Sequence, residues 1–164
     1  MALDLTGWMN DVSGAAQTIA AAALGIQHME WRHLPQAEVP GNLCGVYIPL
    51  LTDQFALHLG LLGQHASCSR LAKALLGMGT DESLGDDSEL FDAVGEIVNM
   101  MAGEVKARVS ETTKLSLGVP LALAGKVFPS AGASSTQGVL QLDGEEMWLV
   151  LTGQQTTRRA KSAA

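Results

Sequence analysis

Between residues 87 and 109, Leu90, Val94, Ile97, Val98, Met101, Val105 and Val109 share one broad apolar face. Steps of three and four are the signature of a helix that buries one face. A first helix is predicted over 5–24, with Thr6 as N-cap and Gly25 as its stop. A second is predicted over 65–77, with Leu71, Leu75 and Leu76 inward and Gly77 and Gly79 closing it. Elsewhere the pattern shortens. Residues 26–33 (IQHMEWRH) alternate as a strand does, and 43–51 (LCGVYIPLL) and 55–62 (FALHLGLL) flank Thr52-Asp53-Gln54 as the arms of a hairpin. Pro49 has no N–H to give a ladder and belongs at a bulge or an edge. Residues 115–125 read as a strand interrupted at Gly118 and Pro120, 128–137 as a small-residue loop, and 138–153 as a hairpin turning at Asp143-Gly144. The elements sum to an α/β (α+β-like) sandwich: an N-terminal helix, a short helix and a long helix on one mixed, mostly antiparallel sheet. One domain is expected over 1–153, then a flexible basic tail over 154–164 with Arg158, Arg159 and Lys161.

Composition narrows the classes of function. A chain of 164 residues that is 47% hydrophobic can build one compact core. Its net charge of −7, with no cluster of Lys and Arg, does not suit a nucleic-acid partner, whose phosphates must be neutralised. The most apolar early stretch, VSGAAQTIAAAALGI, is too short to span a bilayer and holds Gln17 and Thr18. No membrane insertion is expected, and no basic leader precedes that stretch. The location expected is cytoplasmic, with Cys44 and Cys68 as two reduced thiols. His28, His33, His58 and His65 lack metal-ligand spacing, so no metal site is expected in the chain. Neither a phosphate-binding loop nor a nucleophile elbow is present.

The long helix carries a second stripe. Opposite its apolar face, within an arc of about 60°, lie Asp92, Glu96, Asn99 and Gly103. A solvated face normally pairs Glu with Lys at i, i+4. This one has two acids, an amide and a bare backbone, although Gly and Asn both weaken a helix interior. Seven acids fall within residues 81–96, without a Lys or Arg among them. Those of the first turn complement the helix dipole, but Glu96 lies too far in for that. Gly103 admits two readings: clearance for another backbone or a ligand, or close packing of a second helix.

The stretch FDAVGEIVNMMAGEVKARV, followed by LGVPLALAG, resembles the CheC–CheX–FliY family of chemotaxis phosphatases. In that family one helix carries D/S-x3-E-x2-N, with a proline about twenty residues on; the matching positions here are Asp92, Glu96, Asn99 and Pro120. The order of elements fits from about residue 5 to 152. The first helix offers Asn10 but has Gly7 and Leu3 where the acids would stand, so only one motif is present. A single motif is similar to the CheX type, which implies a homodimer.

The resemblance implies a partner and a reaction: hydrolysis of the phosphoaspartate of a CheY-like receiver domain, which supplies its own Mg²⁺. Asn99 is then expected to orient the attacking water, since an amide both donates and accepts hydrogen bonds without adding charge. Glu96 is expected to pair with the receiver's lysine. Asp92 either extends that contact or only solvates the helix. Gly103 would clear the partner's loops, and Pro120 would shape the neighbouring strand. The alternative is a module that docks a receiver or a flagellar-switch component without hydrolysis. A third reading makes the stripe a dimer surface.

Overall fold

The structure, a computed structural model, describes residues 2–124 and 132–156. Helix α1 (Leu5–Leu24) begins as the pattern predicts, but its N-cap is Asp4 and not Thr6. The Gly7 N–H donates to the Asp4 carboxylate at 2.9 Å, which satisfies one orphan donor and places a negative charge at the positive end of the helix. Thr6 already lies inside the first turn. The helix stops at Gly25, whose φ of 63° is open to glycine at little strain.

Helix α2 (His65–Leu75) ends at Leu75, with Leu76 as its cap and Gly77 at φ 66° beyond. Leu71 is buried and Leu75 half-buried, but Leu76 is 51% exposed, against expectation. Five residues past Leu71, at 100° per residue, it points about 140° away from the inward direction.

Helix α3 (Asp87–Val109) occupies the range that the periodicity marks. Strands β1 (Met29–His33), β2 (Cys44–Leu51), β3 (Phe55–Gly63), β4 (Ser116–Leu117), β5 (Leu121–Ala124), β6 (Ser134–Leu142) and β7 (Glu145–Gln155) form one sheet. Its order is β1-β6-β7-β3-β2, with β4 and β5 both lying along the outer side of β2. Every pairing recorded among the described residues is antiparallel.

Two strand limits differ from expectation. β1 starts at Met29 because the N–H groups of Gln27 and His28 donate to the Asp143 carboxylate, at 3.3 and 2.8 Å, instead of to a ladder. β6 starts at Ser134, inside the stretch read as a loop, because β7 continues to Gln155 and offers Ser134–Gln137 a partner from Gly153 back to Val150. Residues 128–131 of that loop, and Arg158, Arg159 and Lys161 of the tail, lie outside the described residues. The β6–β7 turn falls at Asp143-Gly144 as predicted, with φ of 47° and 88°.

Pro49 sits where the outer edge is broken. Its carbonyl accepts the N–H of Gly118 at 2.9 Å, so its ring nitrogen faces the same side, in the gap between β4 and β5. Gly118 is bare for a reason: a Cβ there would lie 2.7 Å from the Pro49 ring. The strand read over 115–125 therefore becomes two short ones, parted by the Gly118–Pro120 kink.

The main core fills the space between the helices and one face of the sheet. The other face carries a smaller cluster, including Tyr47, Leu62, Val139 and Trp148, which Leu34, Ala37 and Val39 of the β1–β2 connection cover. The buried Gln137 amide nitrogen lies 2.6–3.2 Å from the carbonyls of Leu34, Pro35 and Ala37, and clamps that connection down. Cys44 and Cys68 are free thiols. Burial, and then the Cys44 thiol beside it, push Cys68 up to about 12 and make it a poor nucleophile.

Candidate functional site

Helix α3 is anchored at both ends. The Glu89 N–H donates to the Asp86 cap at 3.1 Å, and Asp87 and Glu89 occupy the first turn. Near the other end Arg108 donates to Glu104 at 3.2 Å and to Thr18 of α1 at 3.0 Å. Gly14 makes room for that guanidinium, since a Cβ there would meet it at 2.7 Å. Its apolar face, Leu90 through Val109, is buried at every position the spacing marks.

Asp92, Glu96, Asn99 and Gly103 are all exposed. No side chain among Asp92, Glu96 and Asn99 has a hydrogen bond or ion pair within the described residues. Two carboxylates and an amide thus stand on one helical ridge with their hydrogen-bonding capacity uncommitted. Gly103 faces open space: among the described residues, and apart from its chain neighbours and the backbone of its own helix, no atom lies within 4 Å of an added Cβ. Close packing of a second helix of this chain at Gly103 is therefore not what the structure holds. Ala93, Gly95 and Ala102, beside the stripe, are buried under neighbouring elements. Their small size lets those elements approach.

Gly95 is the position that matters for the site. A Cβ there would lie 3.7 Å from Pro120 Cβ, so the proline packs against nearly bare helix. The kink at Gly118–Pro120 brings β5 alongside α3, and between them runs a groove. Asp92, Glu96 and Asn99 form its polar wall; Val46, Phe91, Pro120 and Ala122 supply its apolar side. The sequence reading missed Val46, Phe91 and Ala122. Val46 and Ala122 are cross-strand partners 76 positions apart (122 − 46), and only the strand pairing brings them together. No cluster of three or more His, Cys, Asp or Glu able to hold a metal ion occurs among the described residues. No helix there is long and apolar enough to cross a membrane.

No curated protein of similar sequence is found. Solved structures share the fold at low identity. CheX from Desulfovibrio desulfuricans is 15% identical, with a TM-score of 0.71 over 92% of this chain and 99% of that one. CheX from Vibrio vulnificus is 14% identical, with a TM-score of 0.72 over 90% and 99%. The CheX–CheY–BeF₃–Mg²⁺ complex from Borrelia burgdorferi matches at 15% identity and a TM-score of 0.65, over 88% and 96%. The family model for the chemotaxis phosphatase CheX matches residues 48–142, more than half of the chain and including Glu96, Asn99 and Pro120. The chain therefore belongs to the CheX family of chemotaxis phosphatases, enzymes that dephosphorylate CheY.

Proposed function

We propose that this chain hydrolyses the phosphoaspartate of a CheY-like receiver domain in the cytoplasm. Asn99 orients the attacking water and Glu96 holds the receiver's lysine. The observation that carries this reading is the uncommitted, exposed pair Glu96 and Asn99, one turn apart on the wall of an open groove.

Phosphoryl transfer asks for charge neutralisation and an in-line nucleophile. On this reading the receiver brings Mg²⁺ and a lysine, and the Borrelia burgdorferi complex, which contains CheX, CheY, BeF₃ and Mg²⁺, supports placing the metal with the partner. What the receiver lacks is a group that holds water in line. An amide does this without charge, whereas a carboxylate 4 Å from the phosphoryl group would be repelled by about 4 kcal/mol at an effective dielectric near 20. Glu96 suits docking better than general base catalysis, since a charge-assisted hydrogen bond one turn from Asn99 fixes the register of the two proteins. Asp92, on the same side, adds negative potential for a basic partner.

The test is the decay of a phosphorylated CheY-like receiver with and without the protein. Wild type should accelerate decay, and Glu96→Ala should raise the receiver concentration needed for half-maximal rate by about ten-fold or more. A saturable complex without faster decay would make the chain a docking module instead.

The same reading includes a homodimer. Three large apolar side chains are conspicuously bare at the outer edge of the sheet: Leu51 at 43%, Val119 at 81% and Leu121 at 61% exposed. A second copy covering them would remove that surface from water. Sedimentation equilibrium at micromolar concentration should give twice the monomer mass, and a monomer there would discard the pairing.

A further inference from the structure

On the helix-facing side of the sheet, β2 and β3 present Val46, Ile48, Leu50, Leu57, Leu59 and Leu61, all buried. β5 continues that side outward, with Ala122 opposite Val46 and Ala124 opposite Cys44. These two positions face the same way yet carry the smallest apolar side chain, and both are exposed. A leucine at 122 would extend toward α3 and close the gap. What stands there is an apolar recess of Val46, Phe91, Pro120 and Ala122, directly against Glu96 and Asn99.

We infer that this recess is a specificity pocket for the receiver. It takes an apolar side chain that the receiver presents next to the cation held by Glu96. The inference rests on the phosphatase reading and adds to it a second kind of contact. The occupant follows from charge and continuity: Asp92 and Glu96 line the groove, no Lys or Arg does, and the apolar floor is continuous with the polar ridge. Pro120 brings that apolar side up to the polar ridge, lying over α3 at Gly95, where an added Cβ would be 3.7 Å from the proline Cβ. A docked cation would fix the partner's position along the ridge, and the recess would then read the size of the neighbouring side chain.

Ala122→Trp fills the recess from an exposed position on β5 and leaves Glu96 and Asn99 in place. The expected result is a KM for the phosphorylated receiver raised about ten-fold or more, with kcat within about two-fold. Ala124→Trp is the control, since Ala124 is exposed on the same strand but does not line the groove. Both constants should then be unchanged, and matched melting temperatures would establish that each variant is folded. An unaltered KM in Ala122→Trp refutes the pocket while the phosphatase reading stands. So does a fall in kcat alone, or an equal effect of Ala124→Trp, which would make the change a general disturbance of β5. If wild type neither binds nor dephosphorylates the receiver, the pocket falls together with the reading beneath it.

Discussion

Asn99→Ala should abolish the acceleration of receiver dephosphorylation, lowering kcat by about 10²- to 10³-fold, the usual loss for one preorganised polar group at a reacting centre. The affinity for the receiver should stay within about two-fold, because on the proposed reading docking rests on Glu96. Stability moves the other way. Asn99 is exposed, and its side chain makes no hydrogen bond within the described residues. Replacing it by a better helix former should therefore raise stability by about 0.5 kcal/mol. A variant that is at once more stable, still bound and inactive is hard to obtain from a purely structural residue. Asn99→Asp should be as inactive as the alanine variant, now through repulsion of the phosphoryl oxygens. Single-turnover decay of the phosphorylated receiver, alongside a binding titration, separates these outcomes. Full activity in Asn99→Ala would assign the water to another group.

The second large effect concerns Gly45, in β2 next to Val46. A Cβ at Gly45 would lie 1.9 Å from the main-chain oxygen of Leu61 and 2.9 Å from Leu62 Cα. Both belong to β3, which is fixed on its other side by pairing with β7. No rotamer change relieves a clash with backbone, so the β2–β3 ladder must part locally. Gly45→Ala is expected to lower stability by about 3 kcal/mol, or roughly 10 °C in Tm. Gly103→Ala gives the opposite sign, a gain of about 1 kcal/mol, since that position is open and lies in a helix interior. Thermal denaturation of the two variants measures both. A silent Gly45→Ala would mean that β2 shifts freely against β3.

How much could be read from the chain depended on how local each signal was. The limits of α1 and α3 follow from spacing within one element, and the turns at Thr52-Asp53-Gln54 and Asp143-Gly144 follow from their own chemistry. Asp4 was missed as a cap because Thr6 offers the same kind of oxygen two residues later; the choice depends on where the first turn closes. β6 was cut short because Ser134 and Ser135 look like loop residues alone, and β7 is what makes them strand. The site divides likewise. Asp92, Glu96, Asn99 and Gly103 share one helical face, so a wheel finds them. The facing wall does not come from any one segment: Val46 arrives through the register of β2 with β5, and Pro120 through its seat on Gly95.

The two walls of the groove also differ in how firmly they are held. α3 is buried along its length against the main core, so its amides should be among the last to exchange with deuterium. β5 has four residues, pairs only with β2 among the described residues and hangs from the kink beyond Pro49, so its amides should exchange early. Each brief release of β5 removes Pro120 and Ala122 from the groove while Glu96 and Asn99 keep their spacing on the helix. On the proposed reading, the group that positions water is thus insulated from fluctuations that loosen the fit around the partner. Warming should relax partner selectivity before it erodes the chemistry.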